Sequence, residues 1–250
     1  MNKLIAIVNL WDGGEFLPFL IPNLQKQVDE IVVVWSRHSN YGNTIQHELT
    51  LYERVTYVNF EPLKWQRPHQ NEVQKRNHGL KAALEMGATH VIMCDVDEFY
   101  ETEAFNEEKE RLYSSGLNGL VCGLQCYFGS PTLTIGSEPT RVPFIIKADG
   151  RTRFGHFKDF PFAYERNGAP RIDPTRRLNI VKGIEWSDIT MHHYSWVRKD
   201  IKLKIENSSA RENIKRSSVL EDYYNAKPGY LCRYYGKVLK ESLNLFGIKL

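Results

Sequence analysis

The sequence predicts an α/β fold built on a mostly parallel sheet flanked by helices. Three observations carry this. The strand-like runs of the first hundred residues, Leu4 to Leu10 and Glu30 to Trp35 among them, are apolar almost throughout rather than alternating. That is how strands covered on both faces read. Helical signals separate these runs, as crossover-connected strands require. Finally, Asn9, Asp12, Ser36, Arg37 and the pair Asp95 and Asp97 all fall at predicted carboxyl ends of strands, where open α/β sheets bind ligands.

The elements follow in order. Leu4 to Leu10 is a first strand, broken by Trp11-Asp12-Gly13-Gly14. Phe16 to Gln27 reads as a helix, with Pro18 near its start and Pro22 as a point of kinking. Glu30 to Trp35 is a second strand, rich in β-branched residues, and a polar loop runs from Ser36 to Asn43. Arg54 to Phe60 is a third strand. Gln70 to Met86 carries Val73, Leu80 and Leu84 on one helical stripe, and Gly87 stops it. Thr89 to Cys94 is a fourth strand that runs into Asp95-Val96-Asp97-Glu98, with a helix starting near Glu103. Beyond it, Gly119 to Phe128 and Arg141 to Lys147 are strand candidates. Arg151 to Asp173 has no period and reads as loops and short strands at a pocket mouth. Ser195 to Asn213 reads as a basic helix. Tyr230 to Phe246 reads as an amphipathic helix with Leu231, Tyr235, Val238, Leu245 and Phe246 near one face, interrupted by Ser242. The expected organisation is an α/β half over 1–100, an acceptor-side half of the same domain over 101–197, and a basic helical segment over 198–250.

Bulk properties narrow the class. With 42% hydrophobic and 25% charged residues in 250, the chain can bury a core. A net charge of +3 does not mark a nucleic-acid binder. The four cysteines, Cys94, Cys122, Cys126 and Cys232, form no Cys-x-x-Cys pair, which disfavours a zinc ribbon. On a strand Cys122 and Cys126 stand roughly 13 Å apart, too far for a disulfide. Buried thiols and a cytoplasmic location are the expectation. The opening apolar run lacks a small-residue cleavage site and reads as a strand. No segment approaches the ~20 apolar residues of a membrane span.

Asp95 and Asp97 are two residues apart on an extended segment, so their carboxylates are expected to point the same way. Adjacent carboxylates disfavour each other's ionisation. A divalent cation relieves this, and Mg²⁺ or Mn²⁺ takes oxygen ligands and is shared readily with phosphates. Such an ion stabilises the charge that develops on a diphosphate leaving group. An acidic strand end that caps the following helix would give the same tripeptide.

Longer motifs decide between these. Gln74-Lys75-Arg76-Asn77-His78-Gly79-Leu80, Ala83, and His90 to Phe99 with its Cys-Asp-Val-Asp-Glu-Phe resemble the helix and metal strand of GT-A glycosyltransferases, in the family-2-like, Asp-x-Asp-containing group. Ala6 to Trp11 with Glu15-Phe16-Leu17 is similar to the first strand and helix of that superfamily. The resemblance covers roughly the first hundred residues. It implies a GT-A fold, a nucleotide-sugar donor (a UDP-sugar foremost) and Mn²⁺ or Mg²⁺ on Asp95 and Asp97. It further implies donor contacts from Asn9, Asp12, Arg37, Arg76, Asn77, Asp95 and Val96. Downstream, Met191-His192-His193-Tyr194 resembles the late metal ligand of such enzymes, with His193 preferred to His192. Arg198 and Lys199, followed by Lys202 and Lys204, read as a basic segment that closes over the diphosphate.

An inverting transferase needs a base. Asp159, Glu165, Asp173 and Asp188 are candidates. Asp159 is preferred for its aromatic surroundings, Phe154 to Phe160, which could stack on a sugar or base. From Arg198 onward there are 12 Lys and Arg against 6 Asp and Glu, a net +6. This suits an anionic acceptor, a peripheral membrane contact by the Tyr230–Phe246 helix, or plain packing with lysines outward. Three functions stay open: transfer to a saccharide, lipid-linked sugar or protein glycan; transfer to a hydroxylated DNA base, as phage-type enzymes do, which would be flipped out of the duplex; and a non-catalytic binding module. A nucleotidyltransferase is a further alternative, for which Trp11-Asp12-Gly13-Gly14 is a poor phosphate loop.

Overall fold

A computed structural model describes residues 2–46, 49–208 and 211–250. The predicted class holds: a mixed sheet of nine strands is flanked by helices. In chain order the elements are β1 (Leu4–Leu10), α1 (Leu17–Leu24), β2 (Glu30–Trp35), β3 (Val55–Asn59), α2 (Pro68–Glu85), β4 (His90–Asp95), β5 (Glu98–Phe99), α3 (Thr102–Ser115), β6 (Gly119–Phe128), β7 (Ser130–Lys147), β8 (Ile184–Trp196), α4 (Ile201–Asn207), α5 (Arg216–Tyr224), β9 (Leu231–Cys232), β10 (Lys237–Val238) and β11 (Lys240–Glu241).

The sheet order is β3-β2-β1-β4-β7-β6-β8-β5, with β11 pairing β7. The pairs β3–β2, β2–β1 and β1–β4 are parallel, as the unbroken apolar runs predict. Beyond β4 the sheet is mixed: β4–β7, β6–β7 and β5–β8 are antiparallel and β6–β8 parallel. The chain moves outward from β1 to β3, then crosses back through α2 to β4 on the other side of β1. This creates a switch point between β1 and β4, where Asn9 pairs with Asp95 at the carboxyl ends. Crevices of this kind bind ligands in open α/β sheets.

Close packing of α2 sets the height of that crevice. The helix buries Arg76, Gly79, Leu80 and Ala83. A Cβ on Gly79 would stand 2.4 Å from Ile7 Cγ2 and 2.6 Å from Val34 Cγ2. Only a glycine lets the helix axis come this near the sheet, and one turn earlier it delivers Lys75 and Arg76 to the strand ends. Gly79→Ala is therefore expected to destabilise the fold by about 1–3 kcal/mol, through overpacking. An unchanged urea midpoint would contradict this packing.

Several expectations are corrected in the second half. The strand expected at Arg141 to Lys147 is the end of the much longer β7, which has register irregularities against β6 along its length. The helix expected over Ser195 to Asn213 is shorter: Ser195 and Trp196 finish β8 and α4 covers only Ile201–Asn207, while Ser209 and Ala210 lie outside the described residues. Tyr230 to Phe246 is no helix. It forms the antiparallel pair β9–β10 and the edge strand β11. Gly236, at φ 63°, makes the turn that the helical spacing of Leu231, Tyr235 and Val238 conceals. The amphipathic face expected for membrane contact does not exist, and Arg233 instead pairs with Glu221 and Asp222. Among the described residues no helix is long and apolar enough to cross a membrane. The four cysteines are free and buried.

Candidate active site

A cleft of about 360 Å³ opens at the β1–β4 switch point, within the usual size range of small-molecule sites. Its floor is the turn that follows β4. Val96 and Asp97 lie in this turn and not on the strand, so strand alternation is not what aims the carboxylates. The turn still presents Asp95, Asp97 and Glu98 to the cleft. None caps the next helix, whose N-cap is Glu101.

Arginines surround these acids. Arg176 sits on a short 3-10 turn, Pro174–Arg176. It donates to Asp95 Oδ2 at 2.5 Å and to both oxygens of Glu98. Arg76 reaches Asp95 Oδ1 at 3.4 Å, and Asn9 Nδ2 donates to the same atom at 3.2 Å. Arg198 pairs with Asp97 Oδ2, and Lys204 Nζ lies 3.9 Å from that oxygen. Burial would raise the Asp95 carboxyl, but Arg176 and Arg76 hold it well below the usual carboxylate range. Burial opposes ionisation of Asp97 too, yet Arg198, Lys204 and His193 pull it down to about 2. At Glu98 burial wins and the carboxyl is raised. Burial also lowers Lys75 to about 7, although Asp95 works against it; its ammonium donates to the Leu10 carbonyl at 2.7 Å.

Strand pairing brings in the histidine. In β5–β8, Glu98 pairs with His193 and Phe99 with His192, and Tyr194 N donates to Asp97 O at 2.9 Å. Alternation on β8 then sends Met191, His193 and Ser195 to the cleft. His192 turns inward, with Nδ1 2.8 Å from the Tyr127 hydroxyl and its ring against Phe246. His193 Nε2 lies 3.9 Å from Asp97 Oδ1, and its Nδ1 lies 3.8 Å from the Cys126 thiol. Ligand atoms of Asp97, Glu98 and His193 fall within 4.8 Å of one another. The carboxylates suit Mn²⁺ or Mg²⁺ in chemical type, and the imidazole favours Mn²⁺ of the two. Asp95 is outside this group; Arg176 engages an oxygen of Asp95 and both of Glu98, so Asp97 Oδ1 and His193 Nε2 are the ligand atoms that no arginine holds.

Buried polar atoms without partners also ring the cleft: Asn9 Oδ1, Trp11 Nε1, Arg76 Nε, and Arg198 Nε and Nη1. Such groups are available to water or to a ligand's polar atoms.

No protein-family model and no curated protein matches the chain. Solved structures do resemble it. A crystal structure of S. aureus TarS 1–349 covers 89% of this chain and 71% of its own at 15% identity, with a TM-score of 0.43. TarS 1–349 in complex with UDP gives 16% identity and a TM-score of 0.47 over the same shares. In complex with UDP-GlcNAc it gives 14% and 0.45, over 89% of this chain and 72% of that one.

Of the residues expected at the site, Asn9, Asp12, Arg76, Asp95, Val96, Asp97, His193 and Arg198 line the cleft. Four do not. Arg37 is exposed, with its backbone N–H held by Glu61 Oε1 at 2.9 Å, while its neighbours Ser36, His38 and Ser39 line the cleft. Asn77 ties down the irregular half, exchanging hydrogen bonds with the Phe154 backbone at 2.8 and 3.0 Å. Lys199 is exposed and Lys204 takes the place expected for it. Asp159 is exposed in a surface turn away from the cleft, because Phe154 and Phe160 on either side are the residues drawn into the core. Sequence reasoning does not single out Arg176 or Glu98. The only hint of Arg176 is its place in a generally basic stretch.

Two histidines away from the cleft's working atoms predict the acid sensitivity of the fold. Burial lowers His90 and His192 to about 4, with Lys147 adding to the effect at His90, against about 6.5 in an unfolded chain. Between these values the unfolded chain binds more protons, so stability falls as pH drops from about 6.5 to 4. The upper bound is about 1.4 kcal/mol per histidine per pH unit. The urea midpoint is expected to drop between pH 7 and pH 5, and a His90→Gln/His192→Gln variant should flatten the drop. A midpoint independent of pH in the native chain would refute it.

Proposed function

We infer that the chain is a metal-assisted glycosyltransferase that moves a sugar from a nucleoside-diphosphate donor to a hydroxyl acceptor. One observation carries this reading: at the switch point, Lys75, Arg76, Arg176, Arg198 and Lys204 converge on the Asp95–Glu98 turn, with His193 beside Asp97. These cations are balanced by the carboxylates of the turn, and the N–H groups that Arg76 and Arg198 have left over suit a diphosphate that brings its own cation. The arm formed by Ser36, His38, Ser39, Asn40 and Phe60, at the end of β2, has the mixed polarity that suits a nucleoside.

The roles follow from position. Asp97 Oδ1 and His193 Nε2, with Glu98 near, would hold Mn²⁺ or Mg²⁺. When bound, such an ion neutralises charge on the departing diphosphate. Arg198 is paired with Asp97 in the ligand-free chain and has two further N–H groups to offer the donor. Arg176 fixes Glu98 and Asp95, so the turn keeps its shape while the ligand exchanges. Asn9 and Arg76 orient Asp95 toward the donor. A UDP-sugar is the donor to test first. A saccharide, lipid-linked sugar, protein glycan or modified DNA base can each supply the hydroxyl.

The test is a thermal-shift screen of nucleoside diphosphates and nucleotide sugars with MnCl₂. A ligand at 100 times its Kd adds about 2.7 kcal/mol of stability. Stabilisation by a diphosphate nucleotide that needs the ion supports the reading. No stabilisation by any nucleotide would sink it, and release of pyrophosphate from a nucleoside triphosphate would assign the site to nucleotidyl transfer.

A further inference from the structure

The cleft has a second arm, across the metal turn from the nucleoside arm, on the strands β7, β6 and β8. Glu138 pairs with Leu124, and Leu124 with Met191. Paired residues share a face of the sheet, and all three line the cleft. Two residues further along, Gly136 pairs with Cys126 and Cys126 with His193. Strand spacing and rise put the Cα of Glu138 roughly 12 Å from that of His193. Cys126 stands between them, its thiol 3.8 Å from His193 Nδ1 and hydrogen-bonded to the Glu138 side chain.

The cleft's other carboxylates are committed elsewhere. Asp95, Asp97 and Glu98 are held by arginines. Asp12 lies 3.9 Å from Arg198 on the donor side. Glu72 stands on α2, the helix that carries Lys75 and Arg76 to the donor side. Asp173 is exposed and caps its 3-10 turn, accepting from Thr175 N at 2.7 Å. Among the described residues Glu138 forms no ion pair with a basic side chain, and its carboxylate accepts from the neutral Cys126 thiol. Its segment is fixed instead through the backbone, since Arg141 Nη1 donates to the Glu138 and Thr140 carbonyls at 2.9 and 3.0 Å. Leu124, Met191 and Trp196 give this arm an apolar floor, and Thr140 and Ser195 give it hydroxyls. A sugar, apolar on its C–H face and hydroxylated at its rim, matches both.

We propose that Glu138 is the catalytic base for a saccharide acceptor seated on Leu124 and Met191. This rests on the glycosyl-transfer reading above. The Glu138 carboxylate takes the proton of the acceptor hydroxyl as that oxygen bonds to the anomeric carbon of the donor. The anomeric C–O bond to the diphosphate breaks, and its electron pair leaves with the nucleoside diphosphate. This single displacement inverts the anomeric centre.

The experiment measures UDP release from UDP-glucose and UDP-N-acetylglucosamine with MnCl₂, with water and a set of p-nitrophenyl hexosides as acceptors. UDP affinity is measured alongside by calorimetry. Glu138→Gln is expected to slow UDP release by about 10²- to 10⁴-fold, to leave UDP affinity within twofold, and to remove the acid limb of the kcat/KM profile. Glu138→Asp should recover part of the rate with the limb present. The product should carry the inverted anomer. The proposal is overturned if Glu138→Gln turns over within fivefold of the native chain, loses UDP binding along with rate, or keeps the acid limb. A retained anomer overturns it, as does Asp173→Asn being the variant that abolishes transfer. A native chain that binds UDP yet releases none from any donor overturns the base and the transferase reading together. A native chain that does not bind UDP fails the transferase reading first.

Discussion

Asp97→Asn is expected to lower release of nucleoside diphosphate from a nucleotide sugar by about 10³-fold or more. Several kcal/mol of charge stabilisation at the leaving group depend on the ion that Asp97 would hold. The same change leaves Arg198, 5% exposed, without its buried partner. Breaking such a pair on one side costs about 3–5 kcal/mol. The two effects are separable. An Asp97→Asn/Arg198→Met variant should recover much of the lost stability and none of the turnover. Turnover within tenfold of the native chain in a folded Asp97→Asn variant would remove Asp97 from the mechanism.

Arg176→Met is expected to cost about 3–5 kcal/mol of stability. The larger share comes from Glu98, whose side chain is 1% exposed, because Asp95 keeps 35% of its side chain open to the cleft and can be solvated there. Without Arg176, Glu98 should protonate well above the ordinary carboxylate range, since burial already raises it with the arginine present. Urea unfolding at pH 5 and pH 8 measures this: the variant should lose more stability at the higher pH, where Glu98 must be charged. A Glu98→Gln/Arg176→Met variant should be more stable than the arginine variant alone. Equal midpoints for Arg176→Met and the native chain would show that the cluster adds no stability.

The parallel half of the fold is legible in the sequence because burial on both faces leaves a plain trace. Leu4 to Leu10 and Glu30 to Trp35 are apolar runs too short for helices, and both are strands with interiors shut from solvent. Strand ends then point to Asn9, Asp95 and Asp97, which line the cleft. What stays hidden depends on contacts between residues distant in sequence. His193 reaches Asp97 only because β8 pairs with β5 across 95 positions. Arg176 enters the site from a 3-10 turn in a stretch without period. Aromatic neighbours favour Asp159 on the sequence, but those neighbours are the ones the core takes, which leaves Asp159 outward. The C-terminal segment misleads because apolar residues three to four apart suit a helix and also suit short strands around a turn. Gly236 is the signal that separates the two.

The most direct test of the central claim is a calorimetric titration of UDP into the native chain, once with MnCl₂ and once with EDTA. Binding is expected with the ion and should weaken at least tenfold without it, with Asp97→Asn behaving in MnCl₂ as the native chain does in EDTA. Equal affinity in both buffers, or no UDP binding in either, would contradict a cation-bridged diphosphate in this cleft.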